Sequence, residues 1–192
     1  MRGKGYLEVK DFGILEIVEE EDGISSINFV EKIDDAIESD EVKRCIQQLK
    51  EYFLGKRREF SIKLDIRIGT EFQKKAWRAL TEIPYGETRS YQEQAIAIGK
   101  PKAVRAVGGA NNKNPISIII PCHRVIGKNK KLVGYGGGLL KKEFLLNLEK
   151  ENESVNLEWK KGNRYENWKI NNLSELIFLK NCSTKKHRCL CF

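Results

Sequence analysis

Apolar residues recur along this chain with two different periods, and the change of period marks out its elements. Residues 5–30 alternate. Phe12 to Val18 and Ile24 to Val30 flank the acidic stretch Glu19 to Gly23, which predicts antiparallel strands joined by a hairpin. From residue 40 the spacing becomes helical. Val42, Cys45, Ile46, Leu49, Tyr52 and Phe53 share one face of a helix over 40–54, and Gly55 stops it. Phe60 to Leu64 reads as a returning strand. A second unit opens with a capping-box pattern, Thr70 and Gln73, ahead of the buried stripe Phe72, Ala76, Trp77 and Leu80. Ile83 to Thr88 breaks that helix. Ser90 caps a short one, Gly99 turns the chain, and Pro101 is placed to open another through Val104, Val107 and Gly108. Helix, glycine-containing turn and helix is the layout of a helix-turn-helix. Ile116 to Ile120 has the length and composition of a buried strand ended by Pro121. A last helix is expected from Leu139 to about Glu149. The fold class is thus α+β, with a small sheet-and-helix domain over 1–66 and a mostly helical domain over 67–150. Residues 151–192, rich in Asn and Lys, form a C-terminal extension that reads as a disordered or loosely docked tail.

Charge sharpens this division. The net charge is +8. Residues 1–99 carry 16 basic and 20 acidic side chains, whereas residues 100–150 carry 11 basic against two acidic. A cationic excess confined to the helix-turn-helix half implies a polyanionic partner, nucleic acid being the usual one. No apolar stretch approaches a membrane span and no signal-peptide core opens the chain, so no membrane partner and a soluble, cytoplasmic location are expected. Five cysteines, three of them crowded into Cys182, Cys189 and Cys191, do not make a secreted disulfide framework, and reduced thiols are expected.

The chemistry sits where the apolar run ends. Pro121 is followed at once by Cys122, His123 and Arg124. Cationic neighbours lower a cysteine's pKa and raise its thiolate fraction, so the spacing predicts a cysteine nucleophile. The helix before it is small-faced, with Ala103, Ala106, Gly108, Gly109 and Ala110, and carries Arg105 as its one long side chain. Such a face can approach a DNA groove or pack closely on another helix.

Pro121-Cys122-His123-Arg124-Val125, with Gly86 to Tyr91 upstream and Gly134 to Gly138 downstream, resembles the O6-alkylguanine-DNA alkyltransferases. The likeness is strong from about Thr70 to Glu149, fainter over residues 1–65 and absent beyond 151. It implies a ribonuclease H-like N-terminal domain before a winged helix-turn-helix domain. It also implies an activity: the damaged guanine is flipped from duplex DNA and its O6-alkyl group passes irreversibly to Cys122. O4-methylthymine is implied as a further substrate. By resemblance His123 links Cys122 through water to Glu149, Tyr91 approaches the flipped nucleotide and its phosphate, and Asn114 buttresses the turn before the cysteine. Arg105 fills the vacated stack, with Ala106, Gly108 and Arg124 also at the DNA. Tyr135, Gly136, Gly137 and Pro121 line the alkyl pocket. Neither metal nor cofactor is called for, the partner is double-stranded DNA containing O6-alkylguanine, and a monomer is expected.

Three rivals are open to such a sequence. An alkyltransferase-like lesion sensor would carry tryptophan in place of Cys122. A transcriptional regulator would read bases, for which a recognition helix with only Arg105 is poorly equipped. A cysteine hydrolase would turn over. At the C-terminus, Cys182, His187, Cys189 and Cys191 lack zinc-finger spacing, and Cys189 to Phe192 is a poor prenylation box.

Overall fold

The computed structural model describes residues 2–160, with side chains through residue 152. Three strands, β1 (Gly3–Val9), β2 (Gly13–Glu20) and β3 (Gly23–Val30), form an antiparallel sheet in the order β1-β2-β3. Leu7 pairs with Leu15 and Ile17 with Ile27, so the alternation seen in the sequence puts these side chains on one buried face. Helix α1 (Asp40–Phe53) covers that face with all six apolar residues of its stripe buried. It lies close to β1 because Gly5 carries no side chain. A Cβ there would come within 2.7 Å of Val42.

The segment expected to return as a strand at 60–64 makes only a single bridge, Leu64 with Ile24. Lys63 and Asp65 bond the backbone of Ile24, and Ser61 is held by side chains of α1. Gln48 accepts from the Ser61 N–H at 2.9 Å and donates to the Ser61 hydroxyl at 3.0 Å.

The second unit holds α2 (Glu71–Thr81), α3 (Tyr91–Ala97), α4 (Val104–Asn112) and α5 (Leu139–Lys160), with a short parallel pair β4 (Arg89–Ser90) and β5 (Val125–Ile126). Thr70 with Gln73 and Ser90 with Glu93 form complete capping boxes. The helix expected to open at Pro101 begins at Val104. Residues 100–102 are spent on a turn closed by the Ala103 N–H donating to the Lys100 carbonyl at 2.8 Å. Buried Gln94 and Asn111 exchange hydrogen bonds of 2.9 and 2.7 Å, and Gln94 also donates to the Ala76 carbonyl, locking α3, α4 and α2 together. Helix α5 continues past Glu149 without a break, since no Gly or Pro stops it before Lys160. No described helix is long and apolar enough to cross a membrane. The two units share one apolar cluster, running from Leu7 through Tyr52 and Trp77 to Leu148. The readings made on Cys182, His187, Cys189 and Cys191, on the terminal box and on the tail lie outside the described residues.

Candidate active site

The run Ile116 to Ile120 is not a strand. It is a tight buried loop. Ile116 bridges Ile27 of β3, Ser117 bridges Ile120, and the Ile120 N–H donates back to the Ile116 carbonyl at 3.0 Å. Ile118 sits at φ +73°, a left-handed conformation that is strained for a β-branched residue. Asn114 holds the loop from within. Its Oδ1 accepts from the Ile116 N–H at 3.1 Å, and its Nδ2 donates to the Ile120 carbonyl at 2.7 Å and to Cys122 Sγ at 3.2 Å. An apolar run of this length suits a strand or a buried turn equally, and the asparagine side chain decides for the turn by competing for backbone groups.

Cys122 opens a 3-10 turn, Cys122–Arg124, and is 7% exposed. Burial pushes its thiol up from the ordinary value, against the pull of the Asn114 N–H and the Lys142 charge. This corrects the expectation that adjacent cations activate it. His123 is fully buried, and desolvation holds its pKa below the usual histidine value despite the Glu149 carboxylate. Arg124, expected at the DNA, is 6% exposed. It donates to both Glu149 oxygens (2.9 to 3.2 Å) and to the Ile83 carbonyl at 2.6 Å. Its role lies inside the protein, because an unpaired buried carboxylate at 149 would be costly.

Glu149 gathers these groups. Its Oε1 accepts from Tyr52 at 2.7 Å and meets His123 Nε2 at 2.9 Å, while its Oε2 accepts from the Gly86 N–H at 3.0 Å. Burial alone would raise its pKa, but the His123 hydrogen bond and the Arg124 guanidinium outweigh burial and bring it to about 2. A permanent carboxylate at Nε2 requires that nitrogen to carry the proton. His123 Nδ1 is then the basic nitrogen, and it has no hydrogen-bond partner among the described residues.

A cleft of about 360 Å³ opens beside the thiol. Tyr91, Val104, Gly108 and Asn111 line it from α3 and α4, Val133, Gly134 and Tyr135 from the loop before α5, and Cys122 lies between. None of the residues that line it carries a charge, and most of the lining is apolar. Arg105 and Ala106 are exposed on α4, and Gly109 faces open space. Tyr91 donates to the Val133 carbonyl at 3.0 Å. Gly136, Gly137 and Pro121 do not line this cleft. Gly137 instead seats the loop on Phe29 of β3, where a Cβ would come within 2.5 Å of the ring.

The family model for the 6-O-methylguanine DNA methyltransferase DNA-binding domain matches residues 71–151, and that for the ribonuclease-like domain of the same enzyme matches residues 4–66. The chain belongs to the O6-methylguanine DNA methyltransferase family. Relatives named methylated-DNA–protein-cysteine methyltransferase include one from Methanosarcina barkeri, 61% identical over 57% of this chain and 69% of its own. One from Methanosarcina acetivorans is 55% identical over 68% of this chain and 87% of its own. The crystal structure of Mycobacterium tuberculosis O6-methylguanine methyltransferase is similar with a TM-score of 0.70 at 42% identity, covering 78% of this chain and 93% of that one. The crystal structure of Mycobacterium tuberculosis OGT in complex with DNA is similar with a TM-score of 0.69 at 44% identity, covering 77% of this chain and 93% of that one.

Within this methyltransferase-family site, sequence reasoning missed two groups. Lys142 is fully buried on α5, its ammonium donating to the carbonyls of Val125 (2.6 Å), Val133 (2.9 Å) and Gly134 (3.2 Å). Burial lowers its pKa to about 8, against the pull of Cys122. The signal was present: Lys142, Leu145 and Glu149 share one helical face, which placed a lysine on a buried stripe. Tyr52, 97 positions from Glu149, left no comparable trace.

Proposed function

We propose that this protein repairs DNA by direct reversal, accepting the alkyl group of O6-alkylguanine in double-stranded DNA irreversibly onto Cys122. One observation carries this reading above the others. A buried thiol lies on a cleft walled by the exposed helix-turn-helix, and the histidine that follows it in the chain is held by an ionised carboxylate, Glu149. Arg105 on α4 enters the stack as the lesion base leaves it, and the base occupies the cleft beside Tyr91 and Tyr135. The thiol proton passes through a water molecule to His123 Nδ1, and Glu149 stabilises the imidazolium formed. The thiolate attacks the alkyl carbon, the S–C bond forms as the C–O bond breaks, and the electron pair leaves on guanine O6. The guanine then recovers the proton. Asn114 and Lys142 stabilise negative charge on the sulfur, which matters because burial otherwise disfavours the thiolate. The thioether product gives the protein no route back, so each chain acts once. O4-methylthymine would fit the same chemistry, and a monomer suffices for it.

The test is a single-turnover transfer reaction with a duplex containing O6-methylguanine, read by intact mass. The expected result is a gain of one methyl group per chain, never more, and none in Cys122→Ala. Binding of the duplex with no change in mass would favour the sensor or regulator reading, and repeated product release would favour a hydrolase.

A further inference from the structure

Resting on that reading, we propose that Tyr52 of the N-terminal domain is a positioning residue for the transfer reaction, acting through Glu149. The ribonuclease-like domain would then complete the proton relay rather than merely accompany it.

The geometry is specific. Tyr52 lies near the C-terminal end of α1, fully buried. Its ring is fixed by Phe53, Phe60 and Tyr85, with centroids 5.5 to 5.9 Å away. That cage aims the hydroxyl at Glu149 Oε1, 2.7 Å away. A phenol donating to a carboxylate at this distance makes a charge-assisted bond. Burial and the Glu149 charge push the Tyr52 pKa well above its ordinary value, so it is a permanent donor. Tyr52 touches the same oxygen as His123 Nε2, so the two compete for one acceptor's electron density. Removing the phenol leaves that oxygen a stronger acceptor, which stabilises the imidazolium and raises the His123 pKa. His123 accepts the thiol proton only when neutral, so the acidic limb of the rate profile must rise with it. The other groups around the pair are Arg124 of the 3-10 turn, Lys142 of α5, Cys122, Tyr85 and Tyr135, and none of them is altered by the substitution.

The experiment uses the full chain with ¹⁵N-labelled histidine. There are only two histidines, and His187→Gln assigns their signals. In Tyr52→Phe the His123 titration midpoint is expected to move up by roughly half to one unit, and the acidic limb of methyl transfer by the same amount. Transfer near the limb should fall about three- to tenfold and recover at higher pH. Val42→Ala, which loosens the same buried face of α1 away from the Tyr52 ring cage and Glu149, should lower thermal stability and leave both midpoints in place. Unchanged midpoints in Tyr52→Phe, or equal shifts in both variants, would overturn the proposal. If the wild-type protein transfers no methyl group, the functional reading fails, and the His123 titration still decides whether Tyr52 acts on the relay.

Discussion

Asn114 offers the clearest separation of chemistry from scaffolding. Asn114→Ala removes three bonds: one from the Ile116 N–H, one to the Ile120 carbonyl and one to the Cys122 sulfur. The two backbone bonds are neutral and contribute about 1 kcal/mol each net. They also restrain a loop containing a strained isoleucine, Ile118 at φ +73°. The folded state should therefore lose about 2–3 kcal/mol, a fall of roughly 5–10 °C in melting temperature for a domain of this size. The bond to sulfur acts elsewhere. It is weak to a thiol, but to the developing thiolate it becomes charge-assisted and stabilises it by about 1.5–3 kcal/mol, so methyl transfer should slow roughly 10- to 100-fold. Asn114→Asp splits the two effects. The Ile116 bond survives, whereas a carboxylate oxygen now faces the Ile120 carbonyl and the sulfur. This variant should transfer more slowly than Asn114→Ala. Quench-flow with an O6-methylguanine duplex gives the rate, and thermal unfolding gives the stability. If Asn114→Ala melts lower but transfers within about threefold of wild type, Asn114 only holds the loop and its contact with sulfur has no chemical consequence.

Four further outcomes follow from the geometry of the site and its surroundings. Glu149 is held at about 2 against 4.5 when unfolded, so its contribution, on the order of 3 kcal/mol, is complete above pH 4.5 and lost as pH falls toward 2. His123, depressed below 6.5 in the fold, adds acid sensitivity from that pH downward, and chemical denaturation at a series of pH values between 7 and 3 should show both. Arg124→Met should cost about 3–5 kcal/mol in stability by leaving Glu149 without its main counter-charge, while the slope of DNA affinity against salt stays unchanged. Arg105→Ala, exposed on α4, should slow transfer in duplex DNA with a stability change within about 0.5 kcal/mol, as unfolding and transfer assays on both variants would reveal. Gly137→Ala, whose Cβ would lie 2.5 Å from the Phe29 ring, should displace the pocket loop at a cost of about 1–3 kcal/mol and alter the relative rates for methyl and larger adducts.

Most of the local elements and the candidate nucleophile were legible in the order of the amino acids. Alternation over 12–30 and the stripe of α1 record directly which face of each element is apolar, and burial follows from that face. The capping box at Thr70 and the cap at Ser90 are local hydrogen bonds, complete within four residues, and so were visible in the sequence. Cys122, His123 and the cationic bias of 100–150 needed only adjacency and counting. Tertiary structure decided the rest, because periodicity says that a residue is buried but not which distant polar group it meets. Adjacency suggested that Arg124 and His123 would ionise the thiol. In the fold the arginine turns to Glu149 and burial holds the histidine's pKa down, so neither neighbour in the chain is a cation at the thiol, and the charge that pulls on it is that of Lys142. Ile116 to Ile120 became a loop because one asparagine captured its backbone groups. Tyr52 read as a core aromatic and Lys142 as one of eleven basic residues until folding brought a carboxylate to the first and three carbonyls to the second. Contacts of that kind are chosen by packing between elements, and periodicity signals the burial without naming the partner.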